Sequence, residues 1–143
     1  MKTKLSGLIF LFVLLLVGCD LFRSSSLFIV NAQSNNTTPG TLQSYVTANS
    51  IGFEWAISGD GDHDASVTVQ YRQQGTAVWK PALSLFRVDF NGFNMLAGSI
   101  LFLDPGVTYE VQLALSDPDG GSDNRTLTLA TRSEPTLPTG GRT

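Results

Sequence analysis

The tightest constraint on this chain is a two-residue alternation of apolar and polar side chains. Ile51, Phe53, Trp55 and Ile57 alternate with Gly52, Glu54, Ala56 and Ser58. Val67, Val69 and Tyr71 alternate with Thr68, Gln70 and Arg72. Tyr109, Val111, Leu113 and Leu115 alternate with Glu110, Gln112, Ala114 and Ser116, and Leu127 and Leu129 with Thr126, Thr128 and Ala130. Successive side chains of a strand point to opposite faces, so the pattern specifies strands buried on one side. No helical period persists for a dozen residues after Thr41. Residues 42–46, 77–83 and 98–103 are weaker strand candidates and bring the expected number to seven.

Turn chemistry separates the strands. Asp60-Gly61-Asp62, Gly75 and Asp119-Gly120-Gly121 punctuate the runs. Asp104-Pro105-Gly106-Val107 suits a type II turn, in which Pro105 presets φ and Gly106 accepts a positive φ. The expected fold is therefore all-β, a seven-stranded immunoglobulin-like sandwich over residues 41–132, with a signal helix ahead of it.

Export chemistry occupies the first part of the chain. Lys2 and Lys4 precede an apolar run over residues 5–17. A run of that length suits a signal-peptide core, whereas crossing a bilayer takes about 20 residues. Leu16-Val17-Gly18-Cys19 follows and resembles the bacterial lipobox, in which the Cys takes a lipid and becomes the new N-terminus. The resemblance implies a signal peptide over 1–18 and a lipid-anchored flexible spacer over 19–40. A second apolar run, Leu27-Phe28-Ile29-Val30, leaves open cleavage after Ala32 and free secretion. A single span over 8–30 would carry Asp20 and Arg23 at about 2.5–3.5 kcal/mol each. Every one of these readings puts the rest of the chain outside the cytoplasm, on the periplasmic or cell-surface side. Two Pro and two Gly within residues 133–143 read as a linker toward a further domain.

Composition then excludes several functions. The single Cys excludes an intramolecular disulfide, and His63 is the only histidine. Net charge is −3, and removing residues 1–18 with Lys2 and Lys4 leaves 7 basic against 12 acidic residues, or −5. No basic stripe exists to track phosphates, so nucleic acid is not an expected partner. No phosphate loop, H-E-x-x-H or C-x-x-C occurs.

With Trp55 on the second strand, Tyr71 on the third and Leu103-Asp104-Pro105-Gly106-Val107-Thr108-Tyr109 leading into the sixth, the chain resembles a fibronectin type III domain of exported bacterial proteins. Tyr109 falls where that family places its tyrosine corner. The resemblance implies a non-catalytic spacer or docking module with a protein or polysaccharide partner. Gly98-Ser99-Ile100 together with Asp117-Pro118-Asp119-Gly120 resembles modules ahead of β-helix, polysaccharide-lyase-like domains. Catalysis would then belong to a domain after Thr143.

One constellation carries possible chemistry. Asp60, Asp62 and Asp64 form one acidic turn, and Asp117, Asp119 and Asp123 another. The resembled topology puts both at one end of the sandwich. Calcium is the one candidate cofactor, since it takes 6–8 oxygen ligands. The run is not an EF-hand, because Ala65 stands at the glycine position and Tyr71 at the bidentate glutamate position. The competing expectation is that these aspartates simply form and cap turns. His63 reads as a turn residue, and Glu54 and Glu110 as members of a solvated sheet face. Trp79 reads as core or edge cover, and Phe86, Phe90 and Phe93 as an exposed patch for a partner.

Overall fold

A computed structural model describes residues 34–136. The expected signal helix, the Cys19 anchor and most of the C-terminal linker lie outside the described residues. The alternating runs form strands, and no described residue is helical. Eight strands follow in order: β1 (Thr37–Val46), β2 (Ser50–Gly59), β3 (Ser66–Gln73), β4 (Lys80–Pro81), β5 (Phe86–Val88), β6 (Met95–Leu101), β7 (Thr108–Ser116) and β8 (Ser122–Ala130). They build two antiparallel sheets, β1-β2-β6-β5 and β4-β3-β7-β8. The first matches the A-B-E-D order of an immunoglobulin sandwich, and the second its C-F-G order with β4 added on the outside.

Three details depart from the sequence reading. β1 begins at Thr37, inside the segment read as spacer, and its pairing with β2 shifts between Pro39 and Leu42. A Cβ on Gly40 would sit 2.8 Å from the Ala56 carbonyl oxygen, and the Pro-Gly pair makes a bulge on an edge strand where the sequence reads as spacer. The candidate over 77–83 contracts to the two residues of β4. β5 is the added eighth strand, three residues long with Arg87 at its centre, too short and too polar for an alternation to register.

The inward faces meet in one core. Ile51, Phe53, Trp55 and Ile57 from β2 oppose Val67 and Val69 from β3 and Tyr109, Val111, Leu113 and Leu115 from β7. Leu85, Leu96, Ile100 and Leu103 complete it, and Tyr71, Leu127 and Leu129 are partly buried against it. Full burial of one such side chain stabilises by about 1.5–3 kcal/mol.

The topology gives the sandwich two distinct ends. The proximal end gathers the start of β1, the β2–β3 and β5–β6 connections and the β7–β8 turn. The distal end gathers the β1–β2, β3–β4 and β6–β7 connections and the segment after β8. Strands of this length, rising about 3.3 Å per residue, separate the two ends by roughly 30 Å.

Candidate functional site at the proximal end

Five of the six aspartates singled out by sequence converge at the proximal end. Asp60, Asp64 and Asp117 each offer a carboxylate oxygen within 4.8 Å of the other two, and so do Asp62, Asp64 and Asp119. Asp123 does not join them. It lies on β8 opposite Leu115 and holds Arg125, with both Arg125 Nε and Nη2 at 2.7 Å from its Oδ2.

The buried members of the cluster are engaged in holding the chain. Asp60 is fully buried at φ 56°, its Oδ1 accepts the Ala65 N–H at 3.1 Å, and its Oδ2 forms an ion pair with Arg87. Asp117 Oδ1 accepts the Asp119 N–H at 2.7 Å, while its Oδ2 accepts the hydroxyl of buried Thr37 at 2.5 Å. Thr37 also donates its N–H to the Gly120 carbonyl at 2.8 Å. The neighbouring Gly121, at φ 118°, allows this close crossing, since a Cβ there would lie 2.0 Å from the Thr37 carbonyl oxygen. Upstream, the Ser34 carbonyl accepts the Gly61 N–H at 3.1 Å, and Asn35 Nδ2 donates to Asp62 Oδ2 at 3.1 Å. Both acidic turns therefore clamp the incoming segment 34–37 against the sandwich.

Charge is not balanced across the cluster. Asp60 has Arg87, but Asp62, Asp64 and Asp119 are exposed and mutually repulsive. Asp64 is raised above the usual carboxylate range, first by partial desolvation and then by Asp62, Asp117 and Asp119. A hard cation takes 6–8 oxygens, and the exposed trio is the part of the cluster with charge still to be matched. His63 pairs with Asp89 at 3.1 Å, tying the β2–β3 turn to the β5–β6 hairpin.

The distal end is closed by uncharged chemistry. Tyr109 Oη accepts the Asp104 backbone N–H at 3.0 Å, and the Tyr109 ring lies 6.1 Å from that of Tyr71. Pro105 and Gly106, the latter at φ 71°, turn the chain. Thr131 then stitches this turn to the end of β8: its hydroxyl donates to the Asp104 carbonyl at 2.7 Å and accepts the Val107 N–H at 2.9 Å. Trp55 is fully buried in the core between the sheets, with the Arg125 guanidinium 5.8 Å from its ring.

Glu54 and Glu110 lie in different sheets, on β2 and β7. Glu54 accepts the Tyr45 hydroxyl at 2.8 Å, and Glu110 accepts from Arg72 Nε at 2.5 Å. Carboxylates in separate sheets do not straddle one glycosidic bond. Arg72 also stacks 4.5 Å over Trp79, which is half-buried. Phe86, Phe90 and Phe93 are all exposed, Phe86 on β5 and the other two on the turn after it. Sequence reasoning missed Arg87, Thr37 and Thr131, whose roles come from partners 24 to 80 residues away. It also missed Phe102, 95% exposed at φ 61°, where a lone aromatic gives no pattern.

No family profile and no curated protein matches the chain. Several solved structures are similar to it at low identity. The sensor domain of an anti-sigma factor in Pseudobacteroides cellulosolvens is 17% identical, with 75% of this chain and 98% of that one covered at a TM-score of 0.48. A human fibronectin type III domain is 15% identical, with 82% and 98% covered at 0.45. A redesigned β-sandwich protein is 11% identical, with 66% and 94% covered at 0.43. The fold is an immunoglobulin-like β-sandwich. That statement rests on the strand order of the two sheets, and none of these neighbours lends its role to this chain.

Proposed function

We propose that the chain is a non-catalytic module of the fibronectin type III kind, held outside the cytoplasm by a lipid on Cys19. It acts as a spacer and interaction domain. The observation that carries this is the placement of its polar groups. The buried Asp60, Asp117 and Thr131 side chains fasten backbone at the two ends of the sandwich, and the buried Thr37 hydroxyl bonds Asp117. The chain joins the sandwich at the proximal end and leaves it at the distal end, the geometry of a rod placed in series. The test is the mass of the N-terminal peptide from the membrane fraction, in wild type and in Cys19→Ala. A lipid-sized increment lost in the variant supports the anchor; a wild-type chain that starts at Gln33 refutes it.

A second reading is favoured by the unmatched charge on Asp62, Asp64 and Asp119. Here the proximal end takes a calcium ion weakly. Calorimetric titration with calcium decides it, and a flat titration with an unchanged melting midpoint ends the idea.

A further inference from the structure

Each sheet of the sandwich has two edges, and three of the four edge strands are blunted against pairing with another chain. β1 is broken by the bulge at Pro39 and Gly40. β4 is two residues long and ends in Pro81, which has no N–H to offer. β5 is three residues long with Arg87 at its centre. β8 carries no such device. It runs nine residues without Pro, Gly or Lys, and its register with β7 is unbroken from Ser122 to Ala130. Two bonds fix which of its backbone groups face β7: the Asp117 N–H to Gly121 carbonyl at 3.1 Å and the Thr131 N–H to Val107 carbonyl at 2.9 Å. Backbone groups alternate in direction along an antiparallel strand, so Asp123, Arg125, Leu127 and Leu129 bond to β7. Asn124, Thr126 and Thr128 therefore aim their N–H and C=O at the open edge. All three residues are exposed, and those groups have no partner among the described residues.

We infer that β8 pairs antiparallel with β8 of a second copy of this chain, joining two sheets into one across a twofold axis. An axis at Thr126 sets that residue against the partner's Thr126, Asn124 against the partner's Thr128, and Ser122 against the partner's Ala130. Every outward-aimed backbone group of the strand then finds a mate. No like charges stand directly opposite, since Asp123 faces the partner's Leu129 and Arg125 the partner's Leu127. An axis one residue earlier would set Arg125 against itself. Arg125 does not guard the edge as a free charge: Asp123 holds it, and its guanidinium lies 5.8 Å from the Trp55 ring. Charge also favours an identical copy. The strand is neutral, with one Asp and one Arg, and offers an acidic or basic peptide no attraction. Antiparallel pairing keeps the two acidic proximal ends roughly 30 Å apart, beyond a Debye length of about 8 Å. With the other edges blunted, pairing closes at two copies and does not run on into a fibre. The inference goes beyond the spacer reading, concerns the sandwich alone, and holds with or without a lipid on Cys19.

The test uses the full chain in detergent, with Cys19→Ala so that an added thiol is the only one. Sedimentation equilibrium is expected to show a concentration-dependent shift from one chain to two. Thr126→Lys, on the exposed edge, should hold the chain at one copy and leave its melting midpoint in dilute solution unchanged. Register is read by mild oxidation of single-cysteine chains, because residues facing each other in a hydrogen-bonded pair have Cα atoms about 5.5 Å apart, within disulfide reach. Thr126→Cys should cross-link to its own copy. Asn124→Cys and Thr128→Cys should cross-link when mixed and not when alone. Thr68→Cys, exposed on β3 away from any edge, is the control and should stay uncross-linked. The cross-linking decides even if Thr126→Lys fails to fold. A single chain at every concentration overturns the inference. A dimer that survives Thr126→Lys is held by another surface and overturns it too, as does equal cross-linking at 68 and 126.

Discussion

Arg87 on the short strand β5 ion-pairs with Asp60, a fully buried carboxylate at the end of β2, 27 residues earlier in sequence. The Arg87 side chain is itself only 16% exposed. Removing one partner of a buried pair leaves the other charged without compensation, at a cost of about 3–5 kcal/mol. Arg87→Ala is therefore expected to lower stability by that amount in chemical denaturation. Arg87→Ala combined with Asp60→Asn should recover part of the loss, because the orphaned charge is gone.

At the other end, the Tyr109 hydroxyl fastens the turn that leads into its own strand. Tyr109→Phe keeps the ring in the core and deletes only that acceptor. The expected loss is about 1 kcal/mol, the usual net value of one hydrogen bond. Amide exchange should quicken at Asp104 and stay unchanged in β2 and β3. A uniform change across the sandwich would contradict this local role.

Asp64 binds its proton more tightly in the folded state, because partial desolvation and three neighbouring aspartates oppose its charge. Its contribution to stability is thus fully present below the ordinary carboxylate range and is lost as pH rises through its raised pKa. Asp64→Asn should raise the melting midpoint at neutral pH and leave it nearly unchanged in acid. Added salt should narrow the difference, since exposed charges are screened. Midpoints of both proteins across the acid range check the sign.

Phe102 adopts a left-handed backbone conformation and buries almost nothing. Such a conformation costs a bulky residue of order 1–3 kcal/mol, while glycine adopts it without strain. Set against the greater unfolded-state freedom of glycine, Phe102→Gly should stabilise the domain by about 1 kcal/mol. A shift of the urea midpoint to higher concentration at constant slope is the expected result.

The sandwich was legible because its signal is local. The side chain of Trp55 faces the core for the same reason as those of Ile51, Phe53 and Ile57, and two-residue spacing fixes all four at once. Two of the three departures involve a partner distant in sequence. Pro39-Gly40 reads as part of a spacer until Ala56 is seen lying against Gly40. β5 exists because Phe86, Arg87 and Val88 find Ala97, Leu96 and Met95 across a hairpin, and because Arg87 finds Asp60. The acidic end was legible as a gathering of carboxylates, though not as a clamp. Nothing near Thr37 announces that its hydroxyl will meet Asp117 80 residues later. Asp123 belongs with the other five by composition and leaves them by register, since a strand position opposite Leu115 turns it toward Arg125.

The opposite placement of the two chain junctions has a mechanical consequence. A pull between Ser34 and Glu134 runs along the strands, so β1 is drawn past β2, and β8 past β7, lengthwise. Hydrogen bonds across those two ladders share the load together and do not open one after another from an end. The Asp117–Thr37 and Asp104–Thr131 bonds stand at the points where force would enter and leave. Loss of the Thr37 hydroxyl, which hardly alters the core, should lower the force at which the domain yields far more than it lowers the melting temperature.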